Sequence, residues 1–382
     1  MKKVLAVALA AAAVAGIAAF LGTAKAPSAT TAGVSCGDQA TIGYFGPTTG
    51  PVASIGAELR DFSILYAQQW NDAGKKPKMN VVEGDTEFDP AKTSTAAQGF
   101  ASNADMLGVI GPGASQEVVA AGSVFKKAGM PFVAASATRA TLTNGSIPTF
   151  LRIAAPDPVQ ALSSAAFMLG NLHARSVVAV DDQSAYGKPL ADQVAKLLGA
   201  NGVKVKRTSV TQKQSDFSAT INSMPGDTDL VYLAIQIPQK MQLFGVQLKE
   251  QGKSKVRVFL SDAGGNGVKL PGAYFSTFGP DVHTFGPAQP ILAAYHAKNG
   301  KKAPLTSFGP LAYVSGQVVV DAVARACKDG SATRAEVLTE LHKTNLKTSI
   351  FGDPISFNAH GDRVGARFFT FQITKTGVTP VG

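Results

Sequence analysis

The sequence predicts an α/β protein built from two similar lobes, each a parallel sheet covered by helices. From Thr41 onward, short apolar runs alternate with amphipathic stretches. A second series of the same kind begins at Ser176. Alternation on this scale means parallel strands with helices on both faces. Removing a leader of 26 residues from the 382 leaves 356, which suits two domains of ordinary size.

In the first series, strands are predicted at 41–45, 79–82, 107–110, 130–134 and 150–153. A helix over 57–70 rests on Leu59, Phe62, Leu65 and Tyr66 at helical spacing. A second runs through 104, with Asp89 as N-cap and Pro90 at the first position. Helices over 116–127 and 156–172 follow. In the second series, strands are predicted at 177–180, 203–210, 230–234, 256–260 and 274–278. The helices between them are 188–198, 217–224 and 239–251, with turns at Asn201-Gly202, Pro225-Gly226-Asp227 and Gln251-Gly252-Lys253. Helices over 288–298 and 311–328 come next, then one capped by Ser331 with its body over 333–343. The tail reads as two extended strands, 350–357 and 366–373, joined by a turn at 358–362.

Two adjacent strand ends finish in hydroxyls rather than acid–base groups. Strand 107–110 runs into Gly111-Pro112-Gly113-Ala114-Ser115, and strand 130–134 runs into Ala135-Ser136-Ala137-Thr138. Ligands of open parallel sheets bind beyond the carboxyl ends of the strands. Hydroxyls there, beside the N–H groups that open a helix, suit a carboxylate or another small anion. They do no chemistry without a base, so the pattern points to binding. Ser115 also reads as a helix N-cap, with Glu117 in the first turn.

Residues 1–26 read as a targeting leader: Lys2 and Lys3, an apolar run from Val4 to Leu21, and Ala24-Lys25-Ala26 as a cleavage site. Retention of the run as an anchor is the competing reading. The expected mature chain is exported, to the periplasm or the outside of the cell envelope. Its net charge falls from +10 to +7 as Lys2, Lys3 and Lys25 leave. The basic residues are scattered, with Lys204, Lys206 and Arg207 the densest group, so nucleic acid is not the expected partner. Cys36 and Cys327 cannot form a four-ligand zinc site alone, and the five His residues show no metal spacing. Neither a metal nor a cofactor is expected. Export favours pairing of the two cysteines. A bond between them would close a very long loop, with a model-dependent gain of roughly 4 to 5 kcal/mol. Cys36 could instead carry a lipid, although Gly33-Val34-Ser35 lacks the Leu-like residue such a site needs. Gly33-Val34-Ser35-Cys36-Gly37 fits a nucleophile-elbow pattern, but no strand precedes it and no helix follows.

Ile42-Gly43-Tyr44-Phe45-Gly46-Pro47-Thr48-Thr49-Gly50-Pro51 resembles the opening strand and loop of the branched-chain amino-acid-binding proteins, solute receptors of ABC importers with the type I periplasmic binding fold. The segments 108–112, 131–138, 182–187, 230–233 and 355–361 continue the resemblance in order, over nearly the whole mature chain. It implies two Rossmann-like lobes, three crossovers and a ligand cleft between the lobes, closed by a hinge. On this plan lobe I is 36–154 plus 284–349 and lobe II is 155–283 plus 350–382, which puts Cys36 and Cys327 in one lobe and supports their disulfide. The resemblance also implies roles at the cleft. Ser115 matches a carboxylate-binding Ser. Ser136-Ala137-Thr138 matches a segment whose backbone and Thr hydroxyl hold an amino-acid head group. Tyr186 matches an aromatic that closes over the ligand from the second lobe. Asp262 matches an acidic residue that pairs with the ligand's ammonium, a charge-assisted contact that selects for an amino group.

Two positions depart from the leucine-type pattern. Ile55 stands where those receptors carry a bulky aromatic, and Gln236 stands where they carry a Tyr. Both would meet the ligand's distal end, so the head-group reading carries over better than leucine itself. The expected function is capture of an amino acid, or a related small carboxylate or amide, by a monomeric receptor that docks on a membrane ABC permease. A ligand sensor of the same fold, signalling to a membrane partner, is the second reading. An exported hydrolase is a distant third.

Overall fold

In the computed structural model, residues 33–381 are described, and the leader at 1–26 lies outside them. In chain order, β1 (Val34–Ser35) and β2 (Gln39–Gly46) lead to α1 (Ala53–Asp72), β3 (Lys78–Asp85), α2 (Pro90–Ser102) and β4 (Met106–Ile110). Next come α3 (Ser115–Ala128), β5 (Phe132–Ala134), β6 (Phe150–Arg152) and α4 (Asp157–Gly170). The second half holds β7 (Ser176–Asp181), α5 (Gly187–Ala200), β8 (Lys204–Ser209), α6 (Ser218–Asn222), β9 (Leu230–Ala234), α7 (Pro238–Glu250), β10 (Arg257–Leu260) and β11 (Tyr274–Thr277). It ends with α8 (Gln289–Asn299), α9 (Phe308–Ala326), β12 (Ser331–Ala332), α10 (Arg334–His342), β13 (Phe369–Ile373) and β14 (Val378–Pro380).

The first sheet has five parallel strands in the order β3-β2-β4-β5-β6. The second has seven, β14-β13-β11-β10-β9-β7-β8, parallel except where β13 meets β11 and β14. Central strands β4, β7 and β9 are buried along their whole length, which is why they read as unbroken apolar runs. Edge strand β8 carries the densest basic group. Lys204 pairs with Asp227, and Arg207 with Asp181 and Asp192. Charge on an edge blocks pairing with another chain.

The two sheets belong to two lobes, and the chain passes between them three times: after β6, after β11 and before β13. The helices after β11 return to the first sheet, where α9 packs on α1, β4 and β5, and α10 on α9 and β4. Ile55, Leu59, Phe62 and Leu65 of α1 meet the buried face of α9 in one core cluster. Phe62 stacks on Tyr295 with ring centroids 4.0 Å apart. Cys36 and Cys327 are joined by a disulfide across 291 residues of sequence. The same corner is held by β1, which pairs antiparallel with β12.

Four local expectations are corrected. Ser331 is not a helix cap: it lies in β12 opposite Ser35, and Thr333 caps α10 by accepting the Glu336 N–H. Ser115 is the first residue of α3 and Ala114 its N-cap. The helix predicted at 217–224 is the single turn α6. Residues 350–357 form no sheet strand. They make isolated bridges, Leu346 with Ile355 and Phe357 with Arg363, and place Ile350, Phe351, Ile355 and Phe357 in the core cluster of α1 and α9.

Candidate functional site

The carboxyl ends of the two sheets enclose a cavity of about 50 Å³. A single water needs roughly 10–15 Å³ measured this way, so the space suits a small organic molecule. In each sheet the strand order reverses beside the first strand of its series, between β2 and β4 and between β7 and β9. Such switch points are where open α/β sheets bind ligands.

Pro47, Val52, Ile55 and Leu59 come from the β2–α1 loop and the start of α1. Gly56 permits this approach, because a Cβ there would lie 1.9 Å from the Pro47 carbonyl oxygen. Gly113, Ala114 and Ser115 follow β4, and Ser136 follows β5. Ser136 Oγ donates to the Gly113 carbonyl at 3.0 Å, which joins the two hydroxyl-bearing loops. Ser115 Oγ accepts the Arg139 N–H at 3.1 Å and keeps its own hydrogen for another acceptor. Below them the buried Glu117 carboxyl accepts the Ala114 N–H at 3.1 Å and the Thr86 hydroxyl. Burial raises Glu117 to about 7, against the pull of those two bonds.

Phe88 and Phe308 complete the apolar side. Glu87 and Phe88 have φ of 52° and 62°, a left-handed pair that turns the Phe88 ring into the cavity. Non-glycine residues adopt that conformation only when their surroundings enforce it. Gln116 Nε2 donates to the Phe88 carbonyl at 3.0 Å. Phe308 opens α9, held by the buried Glu58, which accepts the Thr306 and Gly309 N–H groups at 2.7 and 3.0 Å.

The second lobe supplies the polar side. Tyr186 precedes α5. A Cβ on the next residue, Gly187, would lie 2.3 Å from the Ala234 carbonyl, so only glycine lets α5 begin against β9. Tyr186 Oη donates to Asp262 Oδ1 at 2.9 Å and accepts from Gln160 Nε2 at 3.2 Å. Asp262 is buried, and desolvation pushes its carboxyl up to about 7. The Tyr186 bond works against that push, and the charge of Asp157 adds to it. Gln236 closes the far end. Its N–H donates to Asp182 Oδ2 at 2.9 Å, and its side-chain oxygen accepts from Gln212 Nε2 at 3.3 Å.

Six residues singled out from sequence therefore meet in one cavity: Ile55, Ser115, Ser136, Tyr186, Gln236 and Asp262. Ala137 and Thr138, expected from sequence at the ligand, do not line the cavity, and both are fully buried. The Ala137 carbonyl accepts Arg152 Nη1 at 3.2 Å, and the Thr138 carbonyl accepts the Asp157 N–H at 2.7 Å. Sequence reasoning missed Val52, Leu59, Phe88 and Phe308, which line the cavity. The hydrogen bonds of the two serine hydroxyls run to backbone groups, Ser136 to the Gly113 carbonyl and Ser115 from the Arg139 N–H. Among the described residues no group of three His, Cys, Asp or Glu side chains could hold a metal.

A family model described as periplasmic binding protein matches residues 39–377, which takes in every strand of the two sheets except β14 and every residue of the cavity. The chain belongs to the periplasmic binding protein family. A Leu/Ile/Val-binding protein of Rhizobium johnstonii is 26% identical over 348 residues, covering 87% of this chain and 91% of that protein. A Leu/Ile/Val-binding protein homolog of Brucella abortus is 25% identical over 334 residues, covering 84% and 86%. Among solved structures, the chain is similar to a leucine-binding protein, LivK, from Thermotoga maritima, with TM-score 0.80 and 22% identity over 90% of this chain and 98% of that one. It is also similar to a solute-binding protein from R. palustris in complex with benzoate, with TM-score 0.76 and 17% identity over 90% and 95%. Periplasmic binding proteins of this type share the two-lobed type I fold seen here. No helix among the described residues is long and apolar enough to cross a membrane.

Proposed function

We propose that the chain is the extracytoplasmic solute-binding receptor of an ABC importer and that it captures an amino acid with an apolar side chain. The observation that carries this reading is the division of the cavity. Val52, Ile55, Leu59, Phe88 and Phe308 form an apolar side, while Ser115, Ser136, Tyr186 and Asp262 form a polar side. An amino acid has the matching halves. Its carboxylate fits the Ser115 and Ser136 hydroxyls at the start of α3, where the helix dipole favours negative charge. Its ammonium fits Asp262. Thr138 supports the same head group from behind. Ile55 and Gln236 meet the side chain's end, and Gln236 leaves room for a polar terminus.

The lobes divide at 36–154 plus 284–349 and 155–283 plus 350–382, and hinge closure between them traps the ligand. The closed monomer delivers it to a membrane permease. The Leu/Ile/Val-binding relatives support the substrate class, and the benzoate complex of the R. palustris protein keeps aromatic carboxylates in the test.

Thermal-shift measurements with L-leucine, L-isoleucine, L-valine, L-phenylalanine, their carboxamides and benzoate decide the matter. A ligand at 100 times its Kd stabilises the fold by about 2.7 kcal/mol. At least one of the four amino acids should raise the melting temperature. If benzoate raises it and no amino acid does, the substrate class is wrong.

A further inference from the structure

Phe88 enters the cavity from two consecutive left-handed residues, Glu87 at φ 52° and Phe88 itself at φ 62°. Non-glycine residues persist in that region only where their neighbours over-determine them, and such outliers gather at ligand clamps. Four contacts hold this corner. Asp85 Oδ1 accepts the Glu87 N–H at 3.0 Å. Gly50 packs so closely on the Glu87 carbonyl that a Cβ there would lie 2.7 Å from its oxygen. The buried Thr86 gives its hydroxyl to Glu117. Gln116 Nε2 donates to the Phe88 carbonyl at 3.0 Å. The start of α2 does not account for the corner, because Asp89 caps Ala91 and Lys92 from ordinary extended backbone.

Gln116 and Glu117 are consecutive residues in the first turn of α3, which Ser115 begins. The helix start that carries Ser115 into the cavity therefore also fixes the ring. A carbonyl only accepts, so the Phe88 carbonyl orients the Gln116 amide with its nitrogen toward Phe88. The amide oxygen is left for Gln212 Nε2, 3.4 Å away on the second lobe. Phe88 is 8% exposed and shares a core cluster with Val52, Ile55, Leu59 and Phe308, the other members of the apolar side. Interiors packed in this way yield little, so a ring held by its backbone and by these neighbours does not swing aside for a larger ligand.

We propose that Phe88 is a specificity-determining residue that sets the largest side chain the cavity accepts, and that Gln116 is the positioning residue that keeps its ring in place. This deepens the amino-acid reading above and rests on it. In a cavity of about 50 Å³, the volume taken by one aromatic ring decides which side chains fit. A hydrophobic pocket separates ligands that differ by one methylene about 10-fold to 200-fold. The ligands selected are amino acids with short branched aliphatic side chains, and aromatic side chains are held back by the ring. Gln116 touches no ligand in this account. It acts through the Phe88 carbonyl, and its contact with Gln212 adds to the hold from the second lobe.

The test is isothermal titration of the wild type, Phe88→Leu, Phe88→Ala and Gln116→Leu with L-valine, L-leucine, L-phenylalanine and L-tryptophan. Benzoate and 2-naphthoate form a second pair of small and large ligands. The readout is the affinity for the larger ligand relative to the smaller, with a ligand that does not bind entered at the detection limit. Phe88→Leu should raise the ratio of L-phenylalanine to L-valine about tenfold or more, and Phe88→Ala should raise it further. Gln116→Leu should move it the same way by less, because the ring is loosened and not removed. Melting curves show which variants are folded, and Phe88→Leu, the milder change, carries the test if Phe88→Ala does not fold. A packing role alone would weaken all ligands by one factor. Ratios within about threefold of the wild type in a folded Phe88 variant therefore overturn the proposal. Ratios that shift in the Phe88 variants but not in Gln116→Leu overturn the positioning role. If the wild type binds the aromatic carboxylates and no amino acid, the amino-acid reading fails, and the ratio of 2-naphthoate to benzoate still decides the role of Phe88. If it binds neither series, both fail.

Discussion

Gln212 Nε2 lies 3.4 Å from Gln116 Oε1, which links the loop after β8 in the second lobe to the first turn of α3 in the first. The same nitrogen lies 3.3 Å from Asp182 Oδ2 and from Gln236 Oε1. One amide therefore spans the cleft and touches a residue of the cavity wall. Beside it, Lys213 acts electrostatically on Asp89, the N-cap of α2. All three Gln212 contacts are long for N–H···O bonds, so each contributes little. If the lobes close by a hinge, as proposed, the contact to Gln116 forms on closure, and its loss should speed opening rather than slow capture. Gln212→Ala should raise the dissociation rate of a bound amino acid about threefold to tenfold, for a net bond of about 0.5–1.5 kcal/mol. The association rate should change little. Stopped-flow displacement measures both, and an unchanged dissociation rate removes Gln212 from the closure mechanism.

Four buried carboxyls are pushed up to about 7, each mainly by desolvation: Glu58, Glu117, Asp157 and Asp262. The folded state holds protons on these groups that the unfolded chain gives up near pH 4. Their contribution to stability is therefore complete below about pH 4 and is lost as pH rises through about 7. Surface carboxylates act in the opposite sense. Asp38, held low by Lys76, and Glu340, held low by Lys343 and Arg325, lose their contribution only in acid. The ligand-free protein should thus melt at its highest temperature in mildly acid buffer and at a clearly lower one by pH 8. Glu58→Gln should flatten that decline. On the proposed amino-acid reading, affinity should run the other way, rising with pH up to about 7, because Asp262 would have to lose its proton before pairing with an ammonium. Melting curves and titrations between pH 5 and pH 8 check both signs. Stability that rises steadily to pH 8 contradicts the assignment of buried, protonated acids.

The parts of the site legible in the sequence are those where small residues interrupt an apolar strand. Gly111-Pro112-Gly113-Ala114-Ser115 and Ala135-Ser136-Ala137-Thr138 announce both a strand end and its chemistry. Phe88 gave no such sign, because its place in the cavity depends on two consecutive left-handed residues that no apolar periodicity encodes. Asp157 sits in the first turn of α4, and nothing local in the sequence reveals that the face bearing it is buried. Ser331 has the composition of a cap, but Val34-Ser35 and the disulfide draw it into β12 instead. Residues 350–357 have strand composition and pack as an apolar plug against α1 and α9, where long-range burial overrides local pattern. Local signals located the hydroxyl loops, while the groups behind them depend on contacts distant in sequence.

Arg152 shows how far such contacts reach. It ends β6 with its side chain wholly buried, and Asp362, which it meets at 2.6 Å, comes from the turn before β13. Its backbone N–H also donates to the Gly361 carbonyl at 2.9 Å. The same guanidinium holds the Ala137 and Arg139 carbonyls, so it fixes the loop that carries Thr138. Arg152→Met keeps the bulk of the stem while leaving Asp362 and those carbonyls without their donor. Breaking one side of a buried ion pair costs about 3–5 kcal/mol. Asp362 is partly open to solvent, with 21% of its side chain exposed, so the loss should fall at the lower end of that range. Asp362→Asn should cost less, because the carbonyl partners of Arg152 remain. Urea denaturation of both single variants and of the double variant gives the coupling between them. Folded Arg152→Met should also bind amino acids more weakly, through a loosened 137–143 loop. If it loses stability but keeps full affinity, the guanidinium serves the fold alone and the position of Thr138 is set by other contacts.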